Sequence, residues 1–282
     1  MGIDLTNNCV AWWKFDNVVS GFGGVVDSSG NDHHGMVNLN SQSLVTGTGL
    51  IGNSIRLHDG QDITVPSDSD FDFTLGPGGG FSCLCWIKSA GMYEWEGDLN
   101  VATHALISRM AASDPGSTAC PWMFFIGGPP FGGDGLCATI TFESYNQLML
   151  SGTPLDEAYF ADEKWHCCIL NVSRVGNTVT ATTYIDGSQC VTGSATVGLT
   201  ESLMATTADL CIGTLAGTSF DITAWLDSFA IFDRALTSDE RTWLYNDGDG
   251  QESLSDIVAP KTIFQQGSGS SMFRKTLFQQ GG

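Results

Sequence analysis

The sequence predicts an all-β fold, on three observations. Residues 178–185 alternate, with Val179, Ala181, Thr183 and Ile185 on one side and Thr178, Thr180, Thr182 and Tyr184 on the other. That is the period of two of a pleated strand. Turn signals bracket it: Val175-Gly176-Asn177 ahead, where Gly and Asn tolerate positive φ, and Asp186-Gly187 behind. The composition agrees, since 35 glycines, frequent Ser and Thr and only 15% charged residues suit many short strands and turns.

Taken in order, residues 1–8 read as a polar arm and 9–16 as a first strand, followed by a Gly/Ser/Asp loop to His34. Ile55-Arg56-Leu57 and Ile63-Thr64-Val65 are strands around the turn Asp59-Gly60. Residues 81–88 are apolar on both faces, as a central strand must be. A wet insertion at 89–103 precedes a strand at 104–109. Residues 111–135 are irregular around a short strand at 123–126, and long loops of this kind are where sandwiches carry binding. Strands follow at 136–142 and 147–151. Then come the hairpin beginning at Trp165, a turn within 196–203, a strand at 210–214 and a closing strand at 224–232. Thr237-Ser238-Asp239-Glu240 is a capping box, so one short helix runs to about Asn246 with Trp243 and Leu244 toward the core.

Four stretches carry a resemblance. Trp165-His166 and, about twenty residues on, Tyr184-Ile185-Asp186-Gly187 resemble the W-H … Y-x-D-G segment of the laminin-G-like group of the concanavalin A-like lectin/glucanase superfamily. Val10 to Asp16, then Asp27-Ser28-Ser29-Gly30-Asn31 and His34-Gly35, resemble its opening strand and loop. Phe81-Ser82 with Trp86-Ile87-Lys88 resembles its F-S-x-x-x-W-x-K strand, and Trp225 to Leu236 its closing strand. The resemblance covers about residues 9–250. It implies a two-sheet antiparallel jelly-roll sandwich with one short C-terminal helix, ending in an extended tail at 251–282. Such sandwiches serve lectins, glycosidases, adhesion modules and spacers, so the fold alone does not fix a function. The resemblance also implies one structural Ca²⁺ tying the first loop to the last strand, at Asp16, the Gly30 and Asn31 carbonyls, and Asp227. The other reading of Asp227 is a carboxylate capping a turn through hydrogen bonds. Leu244-Tyr245-Asn246-Asp247-Gly248-Asp249-Gly250 is similar to the ending of such modules in phage structural proteins.

The net charge of −20 repels phosphates and excludes nucleic acid as a partner. It is uneven: residues 1–256 hold all 31 acids and 8 bases, whereas 257–282 carry +3. There is no apolar run long enough for a membrane span, and no basic-then-apolar secretory signal is expected at the N-terminus. Nine cysteines without a C-x-x-C pair read as free buried thiols in a reducing cytosol, with a few bridges in an oxidising medium as the alternative.

No catalytic signature appears, neither E-x-D-x-x-E on a strand nor a Gly-x-Ser-x-Gly elbow, so the chain reads as non-enzymatic. The acids Glu94, Glu96 and Asp98 fall in the wet insertion. Sugar binding needs exposed aromatics, and Tyr93, Trp95, Trp122 and Phe131 are the loop candidates, with packing as their other reading. The tail repeats itself, Lys261-Thr262-Ile263-Phe264-Gln265-Gln266-Gly267 returning as Lys275-Thr276-Leu277-Phe278-Gln279-Gln280-Gly281. This basic amphipathic unit is too short for a core and suits docking as an added strand, through Lys261, Ile263, Phe264, Phe273, Arg274, Lys275, Leu277 and Phe278. The expected function is therefore a non-enzymatic surface protein of a virion, made in the host cytoplasm. It would be anchored by its tail to a capsid or other virion protein or to copies of itself, with cell-surface glycans as further partners. The alternatives are a stand-alone carbohydrate-binding module and a glycoside hydrolase.

Overall fold

A computed structural model describes residues 2–39, 43–58, 60–73, 75–89, 104–109, 120–127, 135–144, 146–151, 159–160, 162–198, 200–204, 206–215 and 221–256. In chain order its strands are β1 (Cys9–Trp13), β2 (Gly21–Val25), β3 (Gly35–Asn38), β4 (Val45–Thr48), β5 (Asn53–Leu57), β6 (Asp62–Val65), β7 (Gly80–Ser89) and β8 (His104–Arg109). They continue as β9 (Trp122–Gly127), β10 (Gly135–Thr141), β11 (Gln147–Leu150), β12 (His166–Val175), β13 (Thr178–Ile185), β14 (Ser188–Thr196), β15 (Leu210–Ile212) and β16 (Ala224–Phe232), and helix α1 (Ser238–Tyr245) follows.

The strands form two sheets, one ordered β14-β13-β12-β7-β16-β5-β4 with β1 on β16, the other β11-β10-β9-β8-β15-β6-β3-β2. Every named pairing is antiparallel. The sheets close on one core that includes Trp13, Phe81, Trp122, Phe124, Phe142 and Phe229. Each such ring contributes roughly 1.5–3 kcal/mol by leaving water. The back of the first sheet is covered too. Leu84, Trp86, Cys167, Ile169 and Phe232 pack with Leu236 and Leu244 from the helix region and with Leu5 and Leu254 from the termini. That second cover is why β7 is apolar on both faces.

The central hairpin forms as its sequence requires. β12 and β13 pair in register from Cys168↔Ile185 to Val175↔Thr178, and Gly176 turns at φ 59°. Asp186 and Gly187 then turn β13 into β14 at φ 48° and 76°, the left-handed pair a two-residue hairpin needs. The helix begins where its capping box places it, Thr237 Oγ1 accepting from Glu240 N at 3.3 Å and Glu240 accepting from Thr237 N at 2.8 Å.

Several expectations need correction. β2 lies inside the stretch read as a loop, and β3, β4 and β14 were not expected. The polar arm and the start of the tail belong to the sandwich: Leu5 and Leu254 are buried, Leu5 N donates to Leu254 O at 2.8 Å, and Asp4 bridges Ser255. The packed unit thus extends beyond 9–250 at both ends, because an apolar residue in each terminus fills the back of the first sheet.

Candidate functional site

Asp227 and Asp16 meet at one turn, for a reason visible in the pairing. One edge of β16 changes partner, β5 holding residues 224–226 and β1 residues 229–232. On its other edge a bulge against β7 inserts one residue between Asp227 and Ala230. The bulge puts Asp227, 0% exposed, against the turn joining β4 to β5, where its Oδ2 accepts from Ile51 N at 2.8 Å. From the end of β1, Asp16 grips the same turn, its Oδ1 accepting from Asn53 N at 2.9 Å and its carbonyl from Asn53 Nδ2 at 2.8 Å. Gly52, at φ 66°, leaves the room that a Cβ would take from Asp16 Oδ1. Burial pushes the Asp227 carboxyl up to about 7, against the pull of its amide donors and with a further push from Asp16.

The turn-capping reading of Asp227 is therefore what the hydrogen bonds express. Asp227 Oδ1 is still buried without a hydrogen-bond partner, an oxygen that a hard cation beside Asp16 could use. Gly30 and Asn31 do not join it. Their loop is tied to the other end of β1, Asn31 Nδ2 donating to Cys9 O and Val10 O at 2.9 Å each. The organiser of that loop is Asp27, which accepts from Trp12 N, Ser29 N, Ser29 Oγ and His33 N. Of the four positions expected for calcium, Asp16 and Asp227 thus share one turn, and Gly30 and Asn31 belong to another loop.

Of the aromatic candidates, Trp122 is not a loop residue. It opens β9 and is 0% exposed, its ring 5.4 Å from Phe81 and 5.9 Å from Phe73. Tyr93, Trp95 and Phe131 lie outside the described residues, as do Glu94, Glu96 and Asp98 and every docking position in the tail from Lys261 to Phe278.

The exposed aromatic that the sequence reading passed over is Phe22. It stands on β2, an edge strand, 78% exposed, with Val19 and Val26 open nearby in sequence. Below it is a cleft of about 220 Å³ lined by Phe22, Asp32, His33, His34, Pro66, Ser67 and Asp68. His33 is buried, with Nε2 3.2 Å from Asp70 Oδ2 and its ring 4.7 Å from Phe71. The pair of histidines was visible in the first loop. Its partners Asp68 and Asp70 stand over thirty residues on, and only the pairing of β3 with β6 brings the two loops together.

The W-H … D-G signature is a lock on the hairpin. His166 Nδ1 is 2.7 Å from Asp186 Oδ2 and its Nε2 3.0 Å from Asp162 Oδ1. Asp186 also accepts from Tyr159 OH at 2.8 Å and Cys167 N at 2.8 Å. Burial opposes charge on His166, yet the two carboxylates outweigh it and raise the imidazole above its ordinary value.

A family model described as the concanavalin A-like lectin/glucanases superfamily matches residues 57–240. The chain belongs to that superfamily. Solved structures with the same sandwich include the binding domain of Paraclostridial Mosquitocidal Protein 1, at 17% identity and TM-score 0.59, over 86% of this chain and 52% of that one. The botulinum neurotoxin serotype C1 binding domain matches at 14% identity and TM-score 0.57, over 86% and 53%. The binding domain of botulinum neurotoxin DC, solved in complex with rat synaptotagmin II, matches at 12% identity and TM-score 0.56, over 86% and 52%. The chain thus spans about half the length of each, and at these identities the likeness is one of fold. No curated protein matches the chain. Among the described residues no helix is long and apolar enough to cross a membrane.

Proposed function

We propose that this chain is a non-catalytic, lectin-like binding module that recognises glycans at the β2 edge and is displayed on a phage virion through its C-terminal residues. The observation that carries the recognition reading is Phe22, a 78% exposed ring on a sheet edge above an acid-lined cleft. A sugar presents an apolar C–H face that such a ring can cover, and hydroxyls that carboxylates such as Asp32 and Asp68 can accept from. That solved structures with this sandwich are toxin binding domains supports the same reading. Display is supported by the tail, where a repeated basic amphipathic unit follows a strongly acidic body. Nine cysteines, eight of them buried and none bridged, suit folding in a host cytosol before assembly.

A glycan array probed with the full chain tests recognition. Bound glycans that are lost on Phe22→Ala support it, and an array without hits dismisses it. Deleting residues 257–282 tests display, since a truncated chain that still joins virions removes the tail as anchor. Asp16 and Asp227 are the residues that would hold a Ca²⁺, whose chemistry there would be to neutralise two carboxylates at one turn.

A further inference from the structure

We propose that His33, Asp68 and Asp70 form a site for a divalent transition-metal ion of the zinc class. The ligand atoms of these three side chains all lie within 4.8 Å of one another. His33 Nε2 and Asp70 Oδ2 are 3.2 Å apart. Two ligands of one tetrahedral Zn²⁺, at bonds of about 2.0–2.1 Å, stand about 3.4 Å apart, so this spacing needs little adjustment.

The imidazole is held in place. Its side chain is 7% exposed and packs on Phe71. The His33 backbone is fixed on both sides, its N–H donating to Asp27 Oδ2 at 3.0 Å and its carbonyl accepting from Trp13 Nε1 at 2.8 Å. The carboxylates are also positioned. Asp68 Oδ1 accepts from Asp70 N at 2.9 Å, and Asp68 O accepts from buried Arg109 Nη2 at 3.1 Å. Arg109 directs its own charge to Asp72 at 2.7 Å. The contact of His33 Nε2 with Asp70 occupies one carboxylate. Asp68 caps the turn at Asp70 N and also brings a second carboxylate within 4.8 Å of its two neighbours, a pair of charges that a divalent ion would neutralise.

The donor chemistry selects the ion. A ring nitrogen with carboxylate oxygens suits zinc-class metals, whereas Ca²⁺ prefers an all-oxygen shell. Asp68 and Asp70 are exposed, which leaves a coordination position open to water or to a ligand in the adjoining cleft. The site shares Asp68 and the cleft with the proposed glycan surface but needs no glycan, so the inference survives the failure of that reading.

The test is calorimetric titration of Zn²⁺ into the metal-stripped full chain carrying Cys190→Ser, because Cys190 is the cysteine that is not buried. One saturable site is expected, weakened at least about tenfold by His33→Ala and by Asp70→Asn, while any response to Ca²⁺ is left unchanged by these two variants. Asp70→Asn preserves side-chain shape, and an unchanged circular dichroism spectrum separates ligand loss from unfolding. Co²⁺ in the same site should give a visible spectrum lacking the thiolate charge-transfer band. Absence of saturable binding, equal affinity in both variants, or a thiolate band overturns the proposal.

Discussion

His166 is donated to by no one and must donate twice, because both of its ring nitrogens face carboxylates. The two carboxylates therefore favour the imidazolium form, and its contribution to stability depends on pH. Its folded pKa is raised above the ordinary 6.5, so the contribution is complete below 6.5 and is lost as pH climbs through the folded value. Asp186 behaves oppositely. Burial would raise it, but His166, Cys167 N and Tyr159 hold it below the ordinary 3.8, so its share is lost as pH falls. The stability gap between wild type and His166→Gln, read by urea unfolding, should be widest in mildly acidic solution. It should narrow toward alkaline pH and below about pH 4, and a gap that widens with alkalinity would falsify the imidazolium assignment. Asp227 gives a second test. Its carboxyl is raised to about 7, so its folded state favours the proton and loses stability as pH rises through that value. Asp227→Asn should therefore be the more stable protein at about pH 8, by roughly 1–4 kcal/mol, and lose that advantage near pH 5. If Ca²⁺ binds beside Asp16, millimolar Ca²⁺ should close the gap at the higher pH by stabilising the wild type alone.

At the scale of elements, the turn and cap residues are the places where single changes should be felt. Gly187 sits at φ 76°, and a Cβ there would come within 3.2 Å of Tyr245 Cδ1. Gly187→Ala should destabilise by more than about 1 kcal/mol through backbone strain. Thr237→Ala removes the helix cap and should cost about 1 kcal/mol, both read as shifts of the denaturation midpoint. The same residues explain which elements were legible. β13 announces itself because its burial strictly alternates, and α1 because its cap box is complete. β2 was hidden by Gly21, Gly23 and Gly24, which carry no side chain to show a period. β14 was hidden because its residues are half-buried or exposed throughout, so polar and apolar positions mix. Trp122 was misplaced because Cys120-Pro121 ahead of it reads as a turn, whereas strand β9 begins at once after that proline.

For the whole molecule, the sequence carried the sandwich but not the cleft. Period and motif order are local properties, whereas the approach of His33 to Asp70 arises from pairing across the second sheet. Asp16 and Asp227 could be named together only through a resemblance, and the bulge that unites them has no local signature beyond an acid in an apolar strand. The cysteines report on the integrity of the sandwich as a unit. Cys83 and Cys85 on β7 and Cys167 and Cys168 on β12 lie in adjacent central strands, Cys85 directly opposite Cys168. Burial pushes Cys9, Cys120 and Cys211 up to about 12 and Cys83, Cys167 and Cys168 well above 9, and it raises half-buried Cys190 to about 11. The thiolate is the reactive form, so a buried thiol must wait for the sheets to part. A colorimetric thiol titration of the native protein near pH 8 should therefore detect slow reaction of Cys190 alone, and all nine cysteines in denaturant. Intermediate urea should bring the eight buried thiols into reaction together, since the two sheets share one core. Thiols of β7 and β12 that react well before Cys120, which precedes β9, Cys137 of β10 and Cys211 of β15 would show that the sheets separate independently, and the single cooperative sandwich would have to be abandoned.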